Sequence, residues 1–261
     1  MARLQANGID IAYDMQGAGP ALLFIHGLGS THSDWEPQMA AFAKQYKVIS
    51  LDLRGHGHSS KPAGPYSIAL FAADVAALLR GLDIDAAHVV GISLGGVIGF
   101  QLTLDHPELV KTLTVVNSGP EAIVRNLLQK FGVWLRLYTV RRGDIAKLGK
   151  TLGMKLFPAP ESHAARDGFI ERFAHNDPLA YEHAFRALIG WSVADRIGGI
   201  TCPVLVVAAD KDYTPLSFKQ AYVAKIPGAQ LEVVADSRHA LPMEKPAAFN
   251  AVLQKFLVAQ T

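Results

Sequence analysis

Short runs of branched apolar residues alternate along the chain with stretches whose apolar positions recur every three or four residues. The runs fall at 9–13, 22–25, 48–51, 88–92 and 113–116, each the length of a buried strand. Between them the spacing predicts helices near 38–44, over 68–82 with Ser67 as N-cap, and from Leu94 to about Asp105, just before Pro107. Strands alternating with helices on short connections predict a mostly parallel central sheet flanked by helices, with the opening strands as an antiparallel hairpin.

Over 119–190 the strand signals stop for 72 residues and the pattern turns helical. Val124, Leu127, Leu128, Phe131, Trp134, Leu135 and Tyr138 follow the spacing of one helix face. Strand signals resume at 203–207 and 231–234, each followed by a helix, the last over 247–258. The expected organisation is therefore an α/β core built from 1–118 and 191–261, with 119–190 inserted as a helical cap. Such a cap roofs a pocket, and Phe131, Trp134 and Tyr138 are its expected substrate contacts.

Composition narrows the function classes. The chain has 261 residues, half of them apolar and 18% charged, as in soluble globular proteins. With 25 basic and 23 acidic residues the net charge is only +2, which disfavours a nucleic-acid partner. One cysteine, Cys202, can form neither an intramolecular disulfide nor a thiolate zinc site. No apolar run approaches the ~20 residues that span a bilayer, and the first ten residues lack a secretory pattern. The expectation is a cytoplasmic protein with no membrane partner. Charge is unevenly shared: the cap carries 11 Lys and Arg against 7 Asp and Glu, or +4, leaving −2 for the rest. Eight of those cations lie between 119 and 157: Arg125, Lys130, Arg136, Arg141, Arg142, Lys147, Lys150 and Lys155. A positive roof would steer anionic substrates, including an acyl group on an acidic carrier protein.

Gly91-Ile92-Ser93-Leu94-Gly95 fits G-x-S-x-G where the fourth strand run, 88–92, meets a helix. A serine on such an elbow projects its hydroxyl above the sheet, and only small neighbours fit around it. Serine needs a base, and the base an orienting acid. The loop after 203–207 offers Asp210 and Asp212, and the segment after 231–234 offers His239. The order Ser93, Asp212, His239 suits a nucleophile-acid-base triad, with Asp210 the rival acid. Oxyanion donors are expected from the N–H groups of Leu94 and of Leu28, in the loop His26-Gly27-Leu28-Gly29. No G-x-G-x-x-G or Walker loop occurs, so no nucleotide cofactor is expected. His56 and His58, read as glycine-turn residues without carboxylate partners, imply no metal.

The segments HGLGSTHSDW (26–35), LDLRGHGHS (51–59), VVGISLGG (89–96), AADKDYTP (208–215) and RHALPMEKP (238–246) resemble, in order, five motifs of the α/β-hydrolase superfamily. The nearest look-alikes are carboxylesterases and 3-oxoadipate enol-lactonases. The resemblance implies an α/β-hydrolase fold and a serine hydrolase cleaving a carboxylic ester through an acyl-enzyme, without metal or organic cofactor. The alternatives are an enol-lactonase of aromatic catabolism or a triad-bearing ligand-binding protein with negligible turnover. The expected partner is a small ester or lactone. Arg238 stands before the base where glycine is common in the superfamily, which places a cation beside the base and, in the expected pocket, near the substrate.

Overall fold

The Asn7-Gly8 pair, both residues at positive φ (49° and 76°), reverses the chain between β1 (Ala2–Ala6) and β2 (Ile9–Gln16). Ala6 faces Ile9 across a two-residue turn, the hairpin such a pair favours. The computed structural model describes residues 1–260. β1 is absent from the hydrophobic pattern because its sequence, ARLQA, lies largely exposed on the sheet edge. The hairpin partner of β2 is therefore β1 and not the next strand of the apolar pattern.

The chain continues through β3 (Ala21–Ile25), α1 (Glu36–Phe42), β4 (Lys47–Leu51), α2 (Ile68–Gly81), β5 (Ala87–Ile92), α3 (Leu94–Asp105) and β6 (Val110–Val116). After β6 come four helices, α4 (Leu127–Arg141), α5 (Ile145–Leu156), α6 (His163–Ala174) and α7 (Pro178–Leu188). The remainder is β7 (Val204–Ala209), α8 (Leu216–Val223), β8 (Gln230–Val234), α9 (Leu241–Glu244) and α10 (Pro246–Val258). The eight strands form one sheet in the order β1-β2-β4-β3-β5-β6-β7-β8. Pairing is antiparallel from β1 through β2 to β4 and parallel beyond. The result is a mostly parallel sheet with helices on both faces, the α/β architecture that the alternation predicts.

Interior strands read as unbroken apolar runs because both faces are covered. Along β3, Leu23 and Ile25 join a core with Phe71 of α2 and Phe100 of α3. Leu22 and Phe24 point the other way, into a core with Trp35, Phe42 of α1 and Phe249 of α10. Ser67 caps α2 by accepting from the Leu70 N–H at 3.1 Å. The helices α4–α7 have a small core of their own, Val140, Ile145, Phe157, Phe169, Phe173 and Tyr181, which Ala240 joins from the loop after β8. That contact seats the helical layer over the C-terminal edge of the sheet, where ligands bind in open α/β folds.

Candidate active site

At the end of β5 the chain must turn sharply into α3, and Ser93 takes the turn at φ 53°, ψ −115°. Positive φ in a non-glycine residue costs on the order of 1–3 kcal/mol and persists only where the surroundings enforce it. Here they do. A Cβ on Gly91 would lie 2.2 Å from the Gly95 carbonyl oxygen, and one on Gly95 would lie 2.1 Å from that of Ile25. The Ser93 N–H donates to Val116 O at 3.0 Å, and Ser118 Oγ donates to Ser93 O at 2.7 Å.

Two further loops bring the expected acid and base together. Asp212 and His239 meet at 2.8 Å, Oδ1 to Nδ1. Their loops are clamped to each other. Asn117, past β6, donates to Arg238 O and His239 O and accepts from the Ala209 N–H. Asp210 accepts the N–H groups of Asp236 and Ser237 at 2.9 and 3.0 Å. The rival acid thus braces the histidine loop and does not touch the ring. Asn117 was not singled out in the sequence, although its place just past a strand end is where site-building residues gather.

The second oxygen of Asp212 has a partner the motif does not disclose. Lys219 of α8, fully buried, places Nζ 2.7 Å from Asp212 Oδ2 and donates to Thr214 O and Oγ1 as well. Burial alone would raise the Asp212 pKa, but hydrogen bonds from His239, Lys219 and Thr214, and the charge of His239, hold it at about 2. Removing half of a buried ion pair typically costs about 3 kcal/mol or more. Lys219→Met is therefore expected to lower Tm by about 6–12 °C. The thermal melt is compared with Asp212→Asn and the double variant, in which part of the loss should return. A Lys219→Met melt superimposable on wild type would refute the coupling.

His239 Nε2, the nitrogen that faces away from Asp212, is engaged by the Tyr213 hydroxyl at 2.7 Å, with the two rings 4.2 Å apart. Tyr213 lines the same cavity as Ser93. Desolvation of the phenol there, with the charge of Asp212 nearby, pushes its pKa up. It is therefore a neutral donor at ordinary pH. This residue, too, was passed over in the sequence; its position directly after the acid was the available signal.

Leu28 lines the same cavity as Ser93 and His239, and Leu94 opens α3, where N–H groups lack helical acceptors. The loop bearing Leu28 is pinned from both sides. His26 bonds Gly27 O through Nδ1 and accepts the Leu53 N–H through Nε2. From α6 and the residues after it, Arg172 pairs with Asp34 at 2.6 Å and Asn176 donates to Gly29 O at 2.8 Å.

The cavity has a volume of about 430 Å³ and mostly apolar walls, among them Ile92, Val133, Leu152, Phe169 and Phe185, a size suited to a small organic ligand. The aromatic contacts expected from α4 do not form. Phe131, Trp134 and Tyr138 stack on one another along the outer face, 46–56% exposed and away from the cavity. The reason is how α4 seats on α7: Arg136 packs on Tyr181 and Phe185 while Arg141 pairs with Glu182, which turns Val133 and Arg136 inward. Nor does Arg238 line the cavity. Its guanidinium pairs with Glu244 at 2.7 Å, so the charge expected to act on the base is offset.

His58 does have a carboxylate partner, contrary to the sequence reading. His32, Asp52 and His58 gather within metal-binding reach. The Asp52 oxygens already accept the His32 and His58 N–H groups and contact His32 Nδ1, so the group is a saturated hydrogen-bond node. His56 is fully buried, and burial lowers its pKa to about 3.

Residues 20–246 match the family model described as alpha/beta hydrolase fold. The chain is 32% identical to 3-oxoadipate enol-lactonase 2 of Acinetobacter baylyi over 92% of this chain and 91% of that one. It is 29% identical to the putative carbamate hydrolase RutD of Caulobacter sp., over 97% and 98%. Among solved structures, the enol-lactonase of Burkholderia xenovorans superposes with a TM-score of 0.92 at 25% identity, covering 98% of this chain and all of that one.

Proposed function

The chain belongs to the α/β-hydrolase fold family, and on that premise we propose that it is a serine hydrolase cleaving carboxylic esters through an acyl-enzyme. The observation that carries the reading is the Asp212–His239 bond, with His239 sharing a cavity with Ser93 on its elbow. In this mechanism His239 takes the Ser93 proton as the serine oxygen attacks the ester carbonyl. Asp212 holds the ring and offsets the charge it gains. The N–H groups of Leu28 and Leu94 receive the developing oxyanion. His239 then protonates the leaving alcohol, and water, deprotonated by the same nitrogen, releases the acid.

A lactone enters the same cycle with its alcohol tethered to the acyl group, and the similarity to enol-lactonases favours it as a second substrate class. The test is a stopped-flow burst of p-nitrophenol from p-nitrophenyl butyrate, stoichiometric with enzyme, alongside a mass increment of one butyryl group. A folded protein that gives no burst, no adduct and no steady release of p-nitrophenol is not this kind of hydrolase; it would then be a ligand-binding member of the fold.

Tyr213 must yield its bond to Nε2 before His239 can accept from Ser93. One neutral hydrogen bond is worth about 1 kcal/mol, so Tyr213→Phe is expected to speed fluorophosphonate labelling of Ser93 by up to about fivefold. A tenfold slowing would instead make the phenol a donor to the reacting group.

A further inference from the structure

The cavity holds two cations without anions to answer them. Arg136 of α4 and Lys155 of α5 both line it, and Asp34 is the one carboxylate among the described lining residues. Asp34 is already claimed by Arg172, through Nε at 3.1 Å and Nη2 at 2.6 Å. The partners of Arg136 are neutral: its guanidinium lies 4.6 Å from the Phe185 ring centroid and donates through Nε, at 2.7 Å, and Nη2 to the Tyr181 hydroxyl. Lys155 Nζ sits 5.6 Å over the Tyr213 ring, and Tyr213 in turn holds His239. Arg136 shares the cavity wall with Tyr213, Ser93 and His239. Both cations therefore line the cavity that holds the reacting groups.

The other six cations in the first half of the cap are differently placed. Arg125 and Arg141 are paired with Glu121 and Glu182. Arg142 lies on the Tyr138 ring, and Lys130, Lys147 and Lys150 are exposed. They suit a solvated surface. Lys155 is exposed too but lines the cavity, while Arg136, half-buried in an apolar wall without an anion, is costly there unless a ligand supplies the opposite charge. A guanidinium held between a ring and a hydroxyl is pre-organised for a carboxylate.

Resting on the ester-hydrolase reading above, we propose that Arg136 and Lys155 form a carboxylate subsite, so that the substrate is an ester or lactone that carries a free carboxylate on its acyl part. One carboxylate docks under the cap while Ser93 attacks the carbonyl at the other end. Salt weakens this recognition, most of all at Lys155, which is the more exposed of the two.

The test compares methyl pentanoate with monomethyl glutarate, followed by pH-stat titration at low and high ionic strength. Wild type should favour the anionic ester at least tenfold in kcat/KM at low salt. Arg136→Met should reduce that preference at least tenfold, largely through KM, with Arg136→Lys retaining part of it. Lys147→Met, on the outer surface, should leave both esters as in wild type. A second arm measures glutarate binding by calorimetry, where Arg136→Met should weaken affinity at least tenfold. No preference for the anionic ester, or equal glutarate binding by wild type and Arg136→Met, overturns the subsite while the esterase reading stands. Glutarate binding that depends on Arg136, with neither ester cleaved, sinks the esterase reading and leaves the anion site.

Discussion

Ser93→Ala is expected to abolish covalent labelling by a fluorophosphonate probe and to lower kcat by about 10⁴–10⁶-fold, the range seen when a serine nucleophile is removed. The fold should survive. The strained turn depends on backbone contacts and on the glycines around it, and alanine keeps the Cβ that those contacts accommodate. Tm should move by no more than about 2 °C, because only the hydroxyl, facing the cavity, is lost. Labelling that persists in the variant would transfer the nucleophile to another residue.

The second large effect separates two aspartates two residues apart. Asp212→Asn should cost about 10⁴-fold in kcat, because an amide can present its N–H to His239 Nδ1 and hold the wrong tautomer. Asp210→Asn should stay within about tenfold of wild type. Asparagine keeps one of the two acceptor oxygens, so it loses at most one of the bonds to the Asp236 and Ser237 N–H groups, and the side chain at 210 never contacts the ring. The reverse ranking would reassign the acid. Acid stability gives a second check. Asp212 is depressed to about 2 from an ordinary 3.8, so its stabilising contribution is present above pH 3.8 and is lost as pH falls toward 2. Asp212→Asn should lack that component of the acid transition, measured as the wild-type minus variant difference in Tm across the same range.

Where sequence and structure agree, the information was local. The strands from β3 to β8 and the elbow at Ser93 rest on residues within one turn or one strand of each other. Where they part, a distant contact intervenes. β1 shows no apolar alternation because one of its edges has no neighbour, and only the Asn7-Gly8 turn betrayed it. The outer aromatic face of α4 reads as a buried stripe by its period, yet Tyr181, Phe185 and Glu182 on α7 orient the helix the other way.

The amino-acid sequence by itself determined the alternation of strands and helices and the glycines that permit the Ser93 turn. It also set the order of Ser93, Asp212 and His239, since each depends on side-chain period or backbone sterics over a few residues. Tertiary structure alone decided that Asp210 braces the histidine loop, that Lys219 is buried against Asp212, and that Tyr213 holds the far nitrogen. It also decided that, of the eight cations clustered over 119–157, Arg136 and Lys155 line the cavity. Each of these follows from which surfaces of separate helices and loops pack together, a choice made by the sum of many long-range contacts that no short stretch of sequence encodes.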